Sequence, residues 1–141
     1  MELEILTRED ALWLMSGVPV GRVVYTAGGL PAVTPVNFAL VDGTIVIRTV
    51  AGSRLATAIK DSVVAFQVDE IDAASHTGWS VTAIGQATEV RDPGELARLT
   101  GLVHPWATGQ RNQVIRIRAD LVTGRRLVNS TDGDPIIQFS G

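Results

Sequence analysis

A β-like run ending in Arg48 and Thr49 meets Gly52, and Ser53-Arg54 then opens a helical pattern, all within Ile45-Val-Ile-Arg-Thr-Val-Ala-Gly-Ser-Arg-Leu55. These types at this spacing suit an anion. A helix N-terminus offers N–H groups without intrahelical partners and a partial positive charge, and Arg48, Ser53 and Arg54 would add donors around the same point. Such a cradle fits a phosphorylated small molecule. The residues also have a plainer reading, with Ser53 as an ordinary N-cap and both arginines as solvated surface charges.

Other chemistry in the chain is sparse. Pro35 stands in a β-branched run, where it has no N–H to give a ladder, so it predicts a break in pairing that leaves backbone around Val36 and Asn37 facing something else. An edge strand with nothing bound is the alternative. Trp79 and Trp106 are the large aromatics that stand out for a role beyond core packing, which is their plainer reading. His76 lies in a polar loop, and His104 follows a helix whose C-terminus favours a cation. No Ser/His/Asp or paired-carboxylate pattern stands out, so no catalytic residue is assigned. With 2 histidines and no cysteine, disulfides, thiolate chemistry and iron–sulfur clusters are excluded, and no metal site is expected.

The chain has 141 residues, 45% of them apolar and 19% charged, which is the composition of one folded domain. A formal charge of -3 argues against nucleic acid as a partner. No apolar run is long enough to span a bilayer, so no membrane partner is expected, and the acidic start does not read as a signal peptide, which implies a cytoplasmic protein. Thr7 and Asp10 with Ala11, Leu12 and Met15 predict a short capped helix. Strands are predicted over 22–25, 32–40 and 44–48, with Ala27-Gly-Gly29 and Asp42-Gly43 as turns. A helix over 54–61 precedes strands at 63–69 and 78–91, the latter with a bulge or a sharp bend at Gly85. Asp92-Pro-Gly-Glu95 starts a third helix, running to about Leu102. Alternation over 114–119 puts Ile115, Ile117 and Ala119 on one side and Arg116 and Arg118 on the other. Six or so hairpin-connected strands with three short helices favour a small antiparallel barrel with helices at its rim.

Taken in order, Thr34-Pro-Val-Asn-Phe38, Ile47-Arg-Thr49, Gly52-Ser-Arg-Leu55, Trp79-Ser-Val81 and Gly85-Gln-Ala-Thr-Glu-Val90 resemble the pyridoxamine 5'-phosphate oxidase-like family of FMN-binding proteins. The resemblance covers most of residues 5–127. It implies a mainly β (α+β) fold, a six-stranded antiparallel split barrel forming a single domain over 1–141; the turn-forming run Asn129-Ser-Thr-Asp-Gly-Asp-Pro135 makes 128–141 a loosely held tail. It also implies that Arg48 and Thr49 touch the FMN ribityl chain and phosphate, and that Ser53 and Arg54 bind the phosphate. Leu55 stands where a second basic residue commonly follows. The backbone around Pro35, Val36 and Asn37 would suit the edge of the flavin ring, Trp79 and Ser80 would lie beside the flavin with Ser80 as a hydrogen-bonding candidate, and Trp106 matches an aromatic near the pocket at a dimer interface.

The function implied is that of an FMN-dependent oxidoreductase acting on a small-molecule substrate, as a homodimer with the flavin between subunits. Two alternatives stand: an F420-dependent reductase on the same fold, and a non-enzymatic flavin carrier or sensor. Oxidation of vitamin B6 phosphates is disfavoured, because the C-terminal segment offers only Arg125 and Arg126 for a phosphorylated substrate. Heme lacks support, since that segment holds no histidine.

Overall fold

The computed structural model describes residues 2–105 and 112–128. Eleven elements follow one another: β1 (Glu2–Ile5), α1 (Arg8–Ser16), β2 (Val20–Ala27), β3 (Leu30–Val41), β4 (Thr44–Thr49), α2 (Arg54–Ile59), β5 (Val63–Asp72), β6 (Thr77–Glu89), α3 (Pro93–Thr100), β7 (Gln113–Arg118) and β8 (Leu121–Val128). All strand pairings are antiparallel. The order β6–β5–β2–β3–β4–β7 closes on itself through a second edge of β6, giving the six-stranded barrel, while β8 and then β1 lie outside that ring against the first half of β6. These two strands were not expected from the sequence. Of the tail expected over 128–141, Val128 is instead the last residue of β8, paired with Glu2, and residues 129–141 lie outside the described residues.

Closure depends on β6 changing partners. Its residues 78–84 pair with β8, and its residues 87–89 pair with β7. Gly85 sits at the handover. A Cβ at this position would be driven into the Arg118 carbonyl, so only glycine lets the corner between β7 and β8 pass so close. The Asp120 N–H donates to Ile84 O at 3.1 Å beside it. The hairpins at 28–29 and 42–43 turn on residues with φ of 59°, 79°, 51° and 74°, the left-handed pair that matches strand twist.

Side-chain alternation fills the barrel. Val23, Ile45, Ile47, Phe66, Val68, Val81, Ala83, Ile115 and Ile117 point inward, and Ala11 and Met15 of α1 and Ala56 and Ile59 of α2 complete the same cluster. Helix ends follow their sequence signals: Thr7, Ser53 and Asp92 each accept a backbone N–H three residues on. The half-exposed reading of 114–119 needs one correction. Val114 is buried although it faces away from the barrel, because α3 packs there with Leu99 over Val46 and Val114. Arg116, from the same outer face, reaches Glu95 of α3 at 3.3 Å. Among the described residues no helix is long and apolar enough to cross a membrane.

Candidate functional site

The barrel opens where β3 and β4 part. Their ladder ends at Phe38↔Ile47, after which Arg48 and Thr49 pair with Val114 and Gln113 of β7. A cavity of about 280 Å³ occupies the gap, lined by Thr34, Pro35, Val36, Asn37, Arg48, Thr49, Val50, Ser53, Leu55, Val103 and Pro105. Six of the predicted site residues therefore meet at one place: Pro35, Val36, Asn37, Arg48, Thr49 and Ser53.

Pro35 breaks pairing on one edge only. The β2 ladder runs straight through it, with Arg22 opposite Pro35 and Gly21 opposite Val36, and the unladdered edge is the one facing β4. Phe38 N–H donates to Pro19 O at 3.2 Å, toward β2. Successive backbone groups on a strand face opposite edges, so Val36 also presents its N–H to β2, whereas Pro35 and Asn37 present their backbone toward the cavity. The expectation for Val36 backbone is thereby corrected: it contributes its side chain to the wall.

Arg48 has structural work. Its guanidinium donates to Val103 O at 3.1 Å and Thr100 O at 3.4 Å, closing the carbonyl end of α3 while forming one side of the cavity. Thr49 is 2% exposed, and its Oγ1 donates to Gln113 Oε1 at 3.4 Å. Ser53 Oγ accepts from Ala56 N–H at 3.2 Å, which leaves its own proton for a ligand.

The other predicted residues lie elsewhere on the same chain. Arg54 is exposed and lines a neighbouring hollow with Thr26, Ala27, Gly28, Thr57 and Ala58. Trp79 points into the barrel and belongs to the main core. Ser80, next along β6, faces outward into a groove with Gln67, Asp69, Thr82, Thr123 and Arg125, where Gln67 Nε2 donates to Ser80 Oγ at 3.3 Å. Trp106 lies outside the described residues. Sequence reading overlooked Gln113, Val103 and Pro105 as neighbours of the site, because only the pairing of β4 with β7 and the docking of α3 bring them there. Leu55, noted for lacking charge, is an apolar part of the wall.

Beyond the cavity, Gln113 also hydrogen-bonds the Glu89 carboxylate, which pairs with Arg91 at 3.1 Å and Lys60 at 3.7 Å. Burial pushes the Glu89 carboxyl up, but the Gln113 hydrogen bond and the charges of Arg91 and Lys60 outweigh it, so the group titrates below its ordinary value. Among the described residues no group of three His, Asp or Glu side chains is placed to hold a metal ion.

The sequence model of the pyridoxamine 5'-phosphate oxidase family matches residues 7–126. The chain belongs to the pyridoxamine 5'-phosphate oxidase-like family. Within it, the chain is 41% identical over 132 residues to the uncharacterized protein Rv0080 of Mycobacterium tuberculosis, covering 90% of this chain and 87% of that one. Among solved structures, a candidate pyridoxamine 5'-phosphate oxidase from Corynebacterium glutamicum superposes with a TM-score of 0.76 at 30% identity, covering 89% of this chain and 95% of that one. The FAD-binding protein of Mycobacterium smegmatis superposes with a TM-score of 0.72 at 28% identity, covering 90% of this chain and all of that one. The split barrel is thus the fold of this pyridoxamine 5'-phosphate oxidase-like chain as well as of its relatives.

Proposed function

We propose that this protein binds a flavin nucleotide, FMN in the first instance, and uses it as an oxidoreductase acting on a small molecule. The observation that carries the reading is the cavity between β3 and β4, where one guanidinium, three hydroxyl-bearing side chains and a strand edge converge. The residues fit the group: Ser53 has a proton to donate to a phosphate oxygen, Arg48 supplies positive charge, and Pro35 and Asn37 offer backbone toward a ring edge. The flavin-binding description of the Mycobacterium smegmatis relative supports the same cofactor class. A bound flavin would supply hydride or electron transfer, leaving the protein to orient it and shield one face.

Ser80 and the cavity open on different parts of one chain. A homodimer, with the Ser80 groove of one protomer facing the cavity of its partner, reconciles the two and is part of the proposal. The B6 oxidase activity of the family's name is left out of it. Arg125 and Arg126 are strand residues paired with Ile5 and Glu4 of β1, and Arg125 lines the groove rather than the cavity.

Absorption spectra of the purified protein with FMN, FAD, riboflavin and F420, together with sedimentation, test the reading. FMN binding more tightly than riboflavin, by a dimer, is the expected result. Preference for F420 would replace the cofactor, and failure to bind any flavin would overturn the proposal. Bound flavin that NADH and NADPH leave oxidised would favour the carrier over the enzyme.

A further inference from the structure

The outer face of the strands β3–β2–β5–β6–β8 carries apolar side chains in one line. Register sets Val33 beside Val24, Val24 beside Ala65, Ala65 beside Ile84 and Ile84 beside Leu121, and paired residues share a face of the sheet. Their chain neighbours Val23, Phe66 and Ala83 fill the barrel, so the line lies outside it. Val33, Leu121, Ile84 and Val24 are 59%, 56%, 38% and 36% exposed.

This face is built to be covered by its own copy. Sizes along the line are balanced about its smallest member: Ala65 stands at the centre, Val24 and Ile84 flank it, and Val33 and Leu121 come next. One row further along β5 the face turns polar, yet its groups already satisfy one another. Arg22 donates to Gln67 Oε1 at 3.0 Å and pairs with Asp69 at 3.6 Å, and Gln67 Nε2 donates to Asp69 at 2.8 Å. Covering them strands no charge. Five strands about eight residues long span about 19 Å by 26 Å, roughly 500 Å² in projection, and side-chain relief raises this toward the about 800 Å² that a standard interface takes from each partner.

We propose that this face is the seam between two copies of the chain, with the two-fold axis running along β5 over Ala65. Val24 then packs on the partner's Ile84, and Val33 on the partner's Leu121. Size chooses this axis. An axis along the apolar line would set Ile84 on Ile84 and Leu121 on Leu121, hold Ala65 apart from its copy, and lay Gln67 over the partner's Val63. Along β5, Val63, which is 71% exposed, is covered by its own copy. The partner's β6 and β8 pass across β2 and β3, so that Arg22 meets the partner's Thr82 and Pro35 meets the partner's Thr123. The placement rests on the homodimer of the proposed function and goes beyond it by naming the face, the axis and the side chains that touch.

The chain has no cysteine, so an introduced thiol can find only its copy. Ala65→Cys treated with a short thiol-to-thiol crosslinker should give a covalent dimer on a denaturing gel, whereas Trp13→Cys, on an α1 side chain that is 72% exposed, should run as a monomer. When Val24→Cys and Ile84→Cys chains with tags of different size are co-expressed, the crosslinked band should contain one of each. Self-crosslinking of each would put the axis along the apolar line and overturn the proposal. Ala65→Asp brings two carboxylates together at the axis and should raise the dimer dissociation constant about a hundredfold or more in sedimentation, with circular dichroism showing a folded monomer. A dimer that survives Ala65→Asp and crosslinks through none of these positions keeps the homodimer and overturns the seam. An unaltered protein that sediments as a monomer sinks both. Flavin titrations decide the cofactor separately, and their failure leaves a crosslinked seam standing.

Discussion

Replacing Gly85 by alanine strikes the point at which the barrel closes. The added Cβ meets the backbone carbonyl of Arg118, and no side-chain rotation relieves that contact. Relief requires the β7–β8 corner to retreat, which stretches the Asp120 N–H bond to Ile84 O, now 3.1 Å, and disturbs the β6–β7 ladder at Ala87↔Ile117. Overpacking costs about 1 to 3 kcal/mol. Each backbone hydrogen bond lost adds about 1 kcal/mol, and the stiffer unfolded chain returns about 0.4 to 1 kcal/mol. The net expectation for Gly85→Ala is a loss of about 3 kcal/mol, a large part of the roughly 5 to 15 kcal/mol that domains possess. Urea unfolding followed by the fluorescence of buried Trp79 should show a midpoint lower by about 1.5 M, for a slope near 2 kcal/mol/M. Gly17→Ala is the control, because Gly17 has a φ of −87° and its nearest atom would be 3.5 Å from the new Cβ. It should shift stability by less than about 1 kcal/mol. A Gly85→Ala protein within about 0.5 kcal/mol of the parent would refute the account of how β6 serves two partners.

Other perturbations separate structural from ligand-binding roles. Arg48→Met removes the contacts to Thr100 O and Val103 O, and should destabilise the flavin-free protein by about 1.5 kcal/mol in urea unfolding; an unchanged midpoint would mean that α3 is held by apolar packing alone. Arg54→Ala, on an exposed side chain outside the cavity, should alter stability by less than about 0.5 kcal/mol and FMN affinity less than Arg48→Met does; the reverse order in a binding titration would bring Arg54 back to the phosphate. The Glu89 carboxyl titrates below its ordinary value of 4.5, so on acidification the unfolded chain takes up the proton first. Its contribution is complete above that value and is lost as pH falls through the folded one. Melting temperature should therefore decline less steeply below about pH 5 in Glu89→Gln than in the parent, and parallel profiles would remove Glu89 from the acid response.

The elements that announce themselves locally were legible. Thr7, Ser53 and Asp92 cap the helices they were expected to cap, Asp42-Gly43 turns a hairpin, and Gly85 marks the point at which β6 changes partners. β1 and β8 were missed for different reasons. The first is four residues long and exposed throughout, so it lacks an inward side to read. The second carries Gly124 and two adjacent arginines, and its strand character comes from lying between β1 and β6. At the site, residues close in sequence were found together, Arg48, Thr49 and Ser53, and the Pro35 segment joined them. Val103 reaches the cavity, and Gln113 reaches Thr49 in its wall, through long-range packing and pairing, which no local pattern encodes. Arg54 and Ser53 illustrate a finer limit: adjacent in sequence, they flank the start of α2 and line separate hollows.

The pairing of β1 with β8 joins Glu2–Ile5 to residues 125–128. During synthesis the first strand leaves the ribosome long before its partner exists, and β4 likewise waits for β7 before its inward Ile45 and Ile47 are enclosed. A nascent chain halted ahead of residue 113 would thus expose an apolar strand edge and a barrel that cannot close, a natural substrate for chaperones. Pairings so distant in sequence place folding toward the slow end of the range for small domains, roughly milliseconds to seconds. The carboxylates of Glu2 and Glu4 suit the long wait, because like charges discourage β1 from pairing with its counterpart on another unfinished chain.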